Sequence, residues 1–482
     1  MLLNIIILLI KIAYVICSSV LFLYGLNSLI LSILYLYKRR EIWSEQQLPS
    51  NKKWPIVSIQ LPIYNEGKVV EGLLSSITKI DYPRSKLQIQ VLNDSSDSTS
   101  ELLQDLVKKY HKKGYWIEYQ HRADRTGYKA GNLESGLKTA KGEFIVIFDA
   151  DYEPEADFLR KTIPYFADEQ VAFVQTRWTN KNLSTNLITY LGGIAYDGHL
   201  FVEQNARYRN GLWMGFSGTA GVWRKSTLVS IGGWKWDSVT EDIEITFRSQ
   251  LRGWKGVYVP ESFSSMELPQ DMDSYQLQQN RWAKGSAQCF KLFIIKVIKA
   301  KLPFKRKLMA VLHLLSYVTM PCLPVLLMLV LPICLLSPEF IQLFWWMALG
   351  SIGPALVFGI SQLEQKERII DRLIHLPLVS LMAVGISMDA MLGVVAGLLQ
   401  KGGEFIRTPR NIDKEVDKEK ERKKPLLSYL TAAEICLGIY LIATVYILWD
   451  TNGKLLAPWL LSSAMGFIFM AGFKISRSIM SA

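Results

Sequence analysis

The sequence has little charge and few cysteines. Only 20% of its 482 residues are charged, against about 25% in an average soluble domain, and 50% are hydrophobic. The 5 cysteines lack the spacing of a zinc site, and most lie in strongly apolar stretches, which argues against a disulfide scaffold. The formal net charge of +12 borders the apolar runs, a distribution that does not suit a nucleic-acid binder. The composition therefore indicates a membrane protein.

Long apolar runs are absent from residues 41–307 but present on both sides of them. The first run, about Ile5 to Tyr35, precedes the basic residues at 38–40, so we expect an uncleaved transmembrane anchor rather than a signal peptide. The later runs approach the ~20 residues that a membrane-spanning helix needs. They cover approximately 308–336, 340–363, 373–399, 426–449 and 455–473.

The basic segments predict the orientation. Residues 38–40, 301–307 and 407–424 are rich in lysine and arginine, so the positive-inside rule places them in the cytosol and the N-terminus outside. Both ends of the run 373–399 then lie on the cytosolic side. We therefore expect this run to be an interfacial or re-entrant segment and four other C-terminal helices to cross. The alternative is a true span that breaks the charge rule once.

Residues 54–266 alternate strand-like runs with amphipathic stretches, which predicts an α/β domain with a mostly parallel central sheet. Three strand-like runs, 56–61, 88–92 and 144–148, each end in a cluster of polar residues. Ligands bind beyond the carboxyl ends of strands in such sheets, so these clusters should converge on one site. No GxGxxG follows the first strand and no GxxxxGK[ST] occurs, which disfavours dinucleotide and P-loop sites.

Asp149 and Asp151 follow the third of these strands, one residue apart. Side chains alternate along an extended chain, so one carboxylate can meet a sugar hydroxyl while the other ligates a cation. Hard oxygen donors suit Mg²⁺ or Mn²⁺ shared with a diphosphate. Such a triplet alone is typical of an exposed turn. The apolar strand before it, with Asp94 at the end of another strand, favours the cation site.

Two further motifs carry groups suited to group transfer. Asp242 precedes a predicted amphipathic helix, where it is either a helix cap or a general base facing the diphosphate. Gln278, Arg281 and Trp282 share one helix face by their spacing. Arg281 offers a planar fork for phosphate oxygens, and Trp282 a flat face for a sugar ring. A surface pair beside the membrane is the alternative.

In this order, the motifs resemble those of processive family 2 glycosyltransferases of the cellulose synthase superfamily. They are Asp94, Asp149 with Asp151, the string 240–242, and Gln278-x-x-Arg281-Trp282. The strings 60–66, 127–131, 218–224 and 267–269 are particularly similar to the cellulose-synthase-like A group, which includes mannan synthases. The resemblance implies a cytosolic α/β domain with the GT-A glycosyltransferase fold at 41–270, between the anchor at 1–40 and a transmembrane helix bundle at 308–482. Interfacial helices with the QxxRW motif would occupy 271–307.

The resemblance also implies roles for individual residues. Asp242 would be the catalytic base, and Asp151 would ligate Mg²⁺ or Mn²⁺. The segment 401–425 resembles the family's gating loop, although a solvated basic linker is the alternative. The nucleotide sugar would be bound by Tyr64, Glu66, Asp94, Lys129, Asp149 and Arg281. The acceptor or product would contact Glu241, Gln278, Trp282 and Thr219, and the gating loop would act through Phe405, Thr408 and Arg410.

The implied function is synthesis of a β-linked polysaccharide of mannan or glucan type from GDP-mannose or UDP-glucose, with export through the bilayer. The rival is transfer of one sugar to a membrane lipid such as ceramide or polyprenyl phosphate. A non-catalytic membrane scaffold or transporter is the alternative from another class. We expect a nucleotide sugar, a glycan acceptor and the lipid bilayer as partners and no nucleic acid, and accessory subunits or a homo-oligomer stay open. A bacterial plasma membrane is preferred to the Golgi.

Overall fold

The computed structural model describes residues 1–39, 54–342, 349–365, 368–405, 407 and 429–481. Its first element is helix α1, Leu2–Lys38, which coincides with the predicted anchor. At about 1.5 Å per residue this helix is roughly 55 Å long, more than the ~30 Å of a bilayer core. The helix is therefore long enough to cross and to continue beyond the membrane.

An eight-stranded sheet forms the centre of the domain that follows. Its strands are β1 Val57–Ile63, β2 Leu87–Asn93, β3 Ile117–His121, β4 Phe144–Ile147, β5 Glu153–Pro154, β6 Val171–Asn180, β7 Gly221–Arg224 and β8 Lys255–Met266. The spatial order is β3-β2-β1-β4-β7-β6-β8-β5. Strands β3, β2, β1 and β4 run parallel, and every residue of β1, β2 and β4 is buried, as expected for strands covered on both faces.

The second half of the sheet is mixed. Strand β7 is antiparallel to β4 and β6, β8 is parallel to β6, and β5 is antiparallel to β8. The predicted α/β class is confirmed, and the parallel arrangement applies to the part of the sheet from which the polar clusters extend. The reversal at β7 brings the segment that precedes it, residues 217–220, to the same edge as the carboxyl end of β4, since Gly221 pairs with Ile147.

Eight helices cover this sheet in the described part of the chain, together with a six-residue π-helix at Gly198–Glu203. They are α2 Gly67–Ile77, α3 Thr99–Lys112, α4 Tyr128–Thr139, α5 Phe158–Thr162, α6 Leu187–Asp197, α7 Gln204–Arg209, α8 Lys225–Ser230 and α9 Glu241–Leu251. The main core lies between β1, β2, β4 and helices α2 and α3, and a second core lies under α4 on the other face. The two cores hold the strand ends in fixed positions around the site.

The C-terminal region is helical. Its elements are α10 Met272–Lys299, α11 Phe304–Leu315, α12 Cys322–Leu336, α13 Pro338–Gln342, α14 Ile352–Leu363, α15 Ile369–Ile374, α16 Leu376–Leu399, α17 Tyr429–Leu448 and α18 Ala457–Ser481. The apolar run predicted at 308–336 is divided between α11 and α12. Pro321 and Pro324 lie at the start of α12, where proline fits because the first helical turn has no internal partner for its missing N–H.

Four helical segments within the described residues are long and apolar enough to cross a membrane. They are Leu2–Lys38, Ile369–Leu399, Tyr429–Leu448 and Gly453–Ser476. The interfacial position of the segment 373–399, the four C-terminal crossings and the division at 40, 270 and 307 stay predictions.

Candidate active site

A cleft opens at the carboxyl edge of β1, β2 and β4. It is lined by every predicted site residue that the structure describes, namely Tyr64, Glu66, Asp94, Lys129, Asp149, Asp151, Thr219, Glu241, Asp242, Gln278, Arg281, Trp282 and Phe405. Thr408 and Arg410 lie outside the described residues. Residues from widely separated parts of the sequence thus surround one space, and their roles stay predictions.

Lys129 lies at the floor of this cleft, in the first turn of α4. Its ammonium nitrogen Nζ is 2.6 Å from Asp149 Oδ1 and 3.5 Å from Glu241 Oε1, and it donates to the carbonyl oxygen of Gly218 at 3.1 Å. Burial alone lowers the pKa of Lys129, but the carboxylates of Asp149, Glu241 and Asp242 outweigh burial and raise it. The lysine is therefore a fixed positive charge at neutral pH.

Asp242 lies in the first turn of α9, where the helix dipole favours a negative charge. Its Oδ1 accepts a hydrogen bond from its neighbour's backbone N–H, Ile243 N, at 2.8 Å. Burial, followed by the nearby Glu241 carboxylate, raises the pKa of Asp242 to about 7, and Lys129 offsets only part of this shift. A carboxylate with this pKa is a much better proton acceptor than an exposed aspartate, as a general base requires.

Gly218 separates the lysine from this carboxylate. Its φ is +82°, in the left-handed region that favours glycine, and a Cβ here would lie 3.2 Å from Asp242 Oδ2 and 3.6 Å from Lys129 Nζ. The next residue, Thr219, accepts a hydrogen bond from the backbone N–H of Asp149 at 2.9 Å through its hydroxyl. The turn before β7 therefore contacts both the end of β4, through Thr219, and the start of α9, through Gly218.

Two arginines occupy the end of the cleft near β1 and β2. Arg122 binds Asp94 in a bidentate pair, with Nε at 2.9 Å from Oδ1 and Nη2 at 2.6 Å from Oδ2. The guanidinium of Arg125 lies 3.3 Å from the centre of the Tyr64 ring. A flat cation stacked on an aromatic ring beside a fixed carboxylate forms a surface on which a nucleobase can stack and bond.

Helix α10 forms the opposite wall. Arg281 points across the cleft and is deeply buried, which lowers its pKa despite the nearby carboxylates. Gln278 Oε1 accepts a hydrogen bond from the Tyr196 hydroxyl at 2.5 Å, and the Tyr196 ring lies 5.8 Å from that of Trp282. The QxxRW motif therefore presents one cation and an aromatic surface to the same space as Asp242.

Phe405 and Arg407, which follow α16, contact two sides of the cleft. The Phe405 ring lies 4.1 Å from the Arg281 guanidinium. Arg407 Nε is 3.1 Å from Glu66 Oε1, and its Nη1 donates to the carbonyl oxygen of Asn65 at 2.8 Å. This segment, predicted as part of a gating loop, thus bridges the α10 wall and the end of β1.

Sequence reasoning missed Arg122, Arg125, Arg407 and Tyr196. The first two follow strand β3, whose residues 117–121 alternate between apolar and polar side chains but form a run of only five residues. The two arginines that follow this strand, Arg122 and Arg125, were the available signal for a site at its carboxyl end. Arg407 lies between the predicted gating residues, and only its contact with Glu66 distinguishes it. Tyr196 reaches the site from α6, which carried no motif.

The acidic groups of the cleft fit a divalent cation shared with a ligand. Among the described residues no group of three or more His, Cys, Asp or Glu side chains forms a complete metal site. Asp149 and Asp151 nonetheless both line the cleft and supply hard oxygen donors. Mg²⁺ and similar ions are commonly held by one or two carboxylates together with substrate phosphates, so this incomplete set suits an ion that arrives with a diphosphate.

Comparison with known proteins agrees with this fold. Residues 55–285 match the family described as "Glycosyltransferase like family 2". Glucomannan 4-beta-mannosyltransferase 2 of Arabidopsis thaliana is 36% identical over 270 residues, which cover 55% of this chain and 50% of that protein. The match thus reaches about half the length of that relative. The mannosyltransferase PcManGT from Pyrobaculum calidifontis, solved with GDP-Man and Mn²⁺, has a TM-score of 0.50 and 20% identity over 74% of this chain and 100% of that chain.

The folded domain of this chain therefore has the GT-A glycosyltransferase fold and lies between apolar helices. Its residues 55–285 are similar to the family 2 glycosyltransferases. The resemblance to the cellulose-synthase-like A group, predicted from its motifs, is confirmed by the identity to the Arabidopsis enzyme.

Proposed function

We propose that this protein is a membrane-embedded, metal-dependent inverting glycosyltransferase that polymerises a β-mannan from GDP-mannose and moves the polymer across the bilayer. The observation that carries this proposal is the cleft that brings Lys129, Asp149, Asp242 and Arg281 together. The 36% identity to a glucomannan mannosyltransferase favours a mannosyl donor, and UDP-glucose is the alternative donor.

The nucleotide would bind at the end of the cleft formed by Tyr64, Glu66 and Asp94, and its diphosphate would lie between Lys129 and Arg281. These two cations would stabilise the negative charge that develops on the leaving diphosphate, and both already have partners in the cleft, Lys129 at Asp149 and Arg281 at Phe405. Asp151, with Asp149 beside it, would hold Mg²⁺ or Mn²⁺, which supplies additional positive charge to the leaving group when bound.

The chemical step is a single in-line displacement. The acceptor hydroxyl oxygen forms a bond to the anomeric carbon of the donor while the bond from that carbon to the diphosphate oxygen breaks. Attack from the opposite side converts an α-linked donor into a β-linked product. The hydroxyl proton passes to Asp242, whose raised pKa makes it an effective acceptor.

The acceptor end of the polymer would lie against α10. Trp282, supported by the Tyr196 ring, offers a face for the sugar, and Gln278, Glu241 and Thr219 offer polar contacts around it. The Phe405 segment would close over the nucleotide and exclude water, which otherwise hydrolyses the donor. Thr408 and Arg410 are proposed to take part in this closure.

The membrane arrangement is part of the proposal. Helix α1 and four C-terminal helices would cross, the segment 373–399 would lie at the cytosolic interface beside α10, and residues 308–482 would form the channel. The N-terminus would lie outside, and a bacterial plasma membrane is the proposed location. The apolar length of Leu2–Lys38, Tyr429–Leu448 and Gly453–Ser476 supports three of these crossings, and Ile369–Leu399 is also long and apolar enough to cross.

The test is incorporation of labelled sugar by the purified full-length protein in lipid nanodiscs. GDP-mannose and UDP-glucose are supplied in parallel with Mn²⁺, and the products are sized and treated with a β-mannanase. We expect a mannanase-sensitive polymer from GDP-mannose alone, and activity of the purified chain would also show that it needs no accessory subunit. A single labelled sugar on an organic-soluble lipid would instead establish the lipid acceptor. Absence of both transfer and donor hydrolysis would support a scaffold.

A further inference from the structure

Helix α10 has a second face, opposite the cleft, that packs directly against α16. Gly393 and Gly397 of α16 lie so close to α10 that a Cβ added at Gly393 would be 2.5 Å from the Asn280 carbonyl oxygen, and one at Gly397 would meet that of Lys284 still more closely. The two helix backbones are therefore in contact. A displacement of α16 must displace α10 as well, because no side chain between them can absorb it.

Two polar side chains of α10 fix its position along α16. Gln276 Nε2 donates to Asp389 Oδ2 at 2.9 Å, and Asn280 Nδ2 donates to the backbone oxygen of Asp389 at 2.7 Å. Gln276 and Asn280 are one helical turn apart and flank Gln278, which lines the cleft. Directional bonds at two points hold the helix against sliding and rotation more strongly than apolar packing alone.

Asp389 is in turn held by charged residues from two other helices. Lys474 Nζ of α18 lies 3.5 Å from Asp389 Oδ2 and 2.7 Å from Glu434 Oε1 of α17, and the Glu434 side chain is 0% exposed. A charged side chain among apolar helices costs desolvation free energy unless it is paired. Such side chains are rare and are more often functional than charged side chains on a protein surface. One carboxylate thus links α16, α17 and α18 to the helix that carries the QxxRW motif.

We propose that Asp389 is a positioning residue for sugar transfer, which sets the depth of Arg281 and Trp282 in the cleft through Gln276 and Asn280. Asp389 is not among the described residues that line the cleft, so it acts only through α10. The inference rests on the proposed function, in which Arg281 binds the diphosphate and Trp282 the acceptor.

If Asp389 only stabilised the fold, its loss would give a different kinetic result. The amount of folded enzyme would fall, which reduces the maximal rate but leaves the KM for the donor and the Kd for the nucleotide unchanged. Loss of positioning alters every folded molecule, so KM and Kd change. Misplacement of a catalytic group by about 1 Å can cost on the order of 10²-fold in rate.

The test compares Gln276→Leu and Asp389→Leu with the control Ser387→Ala in the full-length protein. Leucine at position 389 cannot accept the hydrogen bond from Gln276. Ser387 is buried in α16 near Asp389, but its hydroxyl donates within its own helix, to Val384 O at 2.6 Å. We expect both test variants to lose at least about tenfold in kcat/KM for GDP-mannose, with a raised KM and weaker GDP binding, and the control to keep the wild-type KM. Asp389→Leu keeps the Lys474–Glu434 pair and serves if Gln276→Leu does not fold.

Wild-type KM and GDP affinity in both test variants would overturn the inference. If the wild-type protein transfers neither mannose nor glucose, the proposed function is wrong, and the positioning role of Asp389 has to be tested separately. Titration with GDP and UDP then still decides whether Gln276→Leu weakens binding of whichever nucleotide the wild-type cleft holds. Unchanged affinity there, or binding of neither nucleotide, rejects positioning by Asp389.

Discussion

A lysine that bridges two carboxylates lies on each side of α10. In the cleft, Lys129 lies 2.6 Å from Asp149 and 3.5 Å from Glu241. Among the apolar helices, Lys474 lies 2.7 Å from Glu434 and 3.5 Å from Asp389. The Asp149 side chain is 32% exposed and Glu434 is fully buried. The first cluster can still bind a ligand, whereas the second binds the helices to one another.

The same residue types can therefore bind a ligand or join helices, depending on which further groups lie beside them. Negative charge in the cleft exceeds positive charge locally and is suited to a cation that arrives with the donor. In the helical cluster an amide from α10 provides an additional partner for Asp389, while Glu434 Oε2 is buried without a hydrogen bond. We therefore expect substitutions in the two clusters to differ in what they change, activity in the cleft and stability among the helices.

The largest expected effect is that of replacing Asp242, the proposed base. Asp242→Asn should reduce transfer about 10²- to 10⁴-fold, because the amide cannot accept the acceptor's proton, while nucleotide binding is retained. Labelled-sugar incorporation and GDP titration measure the two effects separately. Asp105→Asn, which alters an exposed carboxylate, is the control. Near-normal turnover in Asp242→Asn would show that another group takes the proton.

The next effect concerns the helical cluster. Lys474→Met should destabilise the protein by about 3–5 kcal/mol, because it leaves two buried carboxylates without their counter-ion. Thermal unfolding in detergent measures this change, with Lys454→Met, at an exposed lysine of the same region, as the control. Equal unfolding midpoints for the two variants would mean that the cluster contributes nothing to stability.

The cleft cluster should respond in the opposite direction. The folded-state pKa of Asp242 lies above its ordinary value of 3.8, so folding takes up a proton between these values, and stability falls as the pH rises through this window. Asp242→Asn should therefore stabilise the protein at pH about 8, by roughly 1–3 kcal/mol after the lost attraction to Lys129 is counted. The gain should disappear near pH about 4. A loss of stability at pH about 8 would contradict the pKa shift.

The smallest expected effect is the pH dependence of the wild-type enzyme. Because the base must be deprotonated, kcat/KM for the donor should fall about tenfold per pH unit below the Asp242 pKa of about 7. GDP binding measured over the same range separates this effect from loss of the nucleotide. A flat profile down to pH about 5 would exclude a base with a raised pKa.

Much of the fold could be predicted from local patterns. The strands that end before Tyr64, Asp94 and Asp149 were recognisable as mostly apolar runs followed by polar residues, although β1 and β2 also bury serine and glutamine side chains. Their convergence on one cleft follows from the parallel arrangement alone. The shared face of Gln278 and Arg281 was equally readable from spacing, whereas the helix predicted to follow Asp242 begins earlier, at Glu241.

The remainder depends on contacts between distant parts of the chain. The reversal of β7, which brings Gly218 beside Asp242, has no local signal. The pairing of Arg407 with Glu66 joins residues more than three hundred positions apart. Asp389 and Glu434 stood out as rare charges within apolar runs, but their joint partner Lys474 could be identified only from the packing of three helices.

Gly218 restricts how this enzyme can be redesigned. A mutant library aimed at a new acceptor would naturally vary the turn before β7, but any side chain at this position is strained by its φ of +82° and crowds both Asp242 and Lys129. Variants with any residue other than glycine at position 218 should therefore be inactive with every acceptor sugar. Changes of specificity have to come from the surrounding positions, foremost Ser217 and the α10 wall.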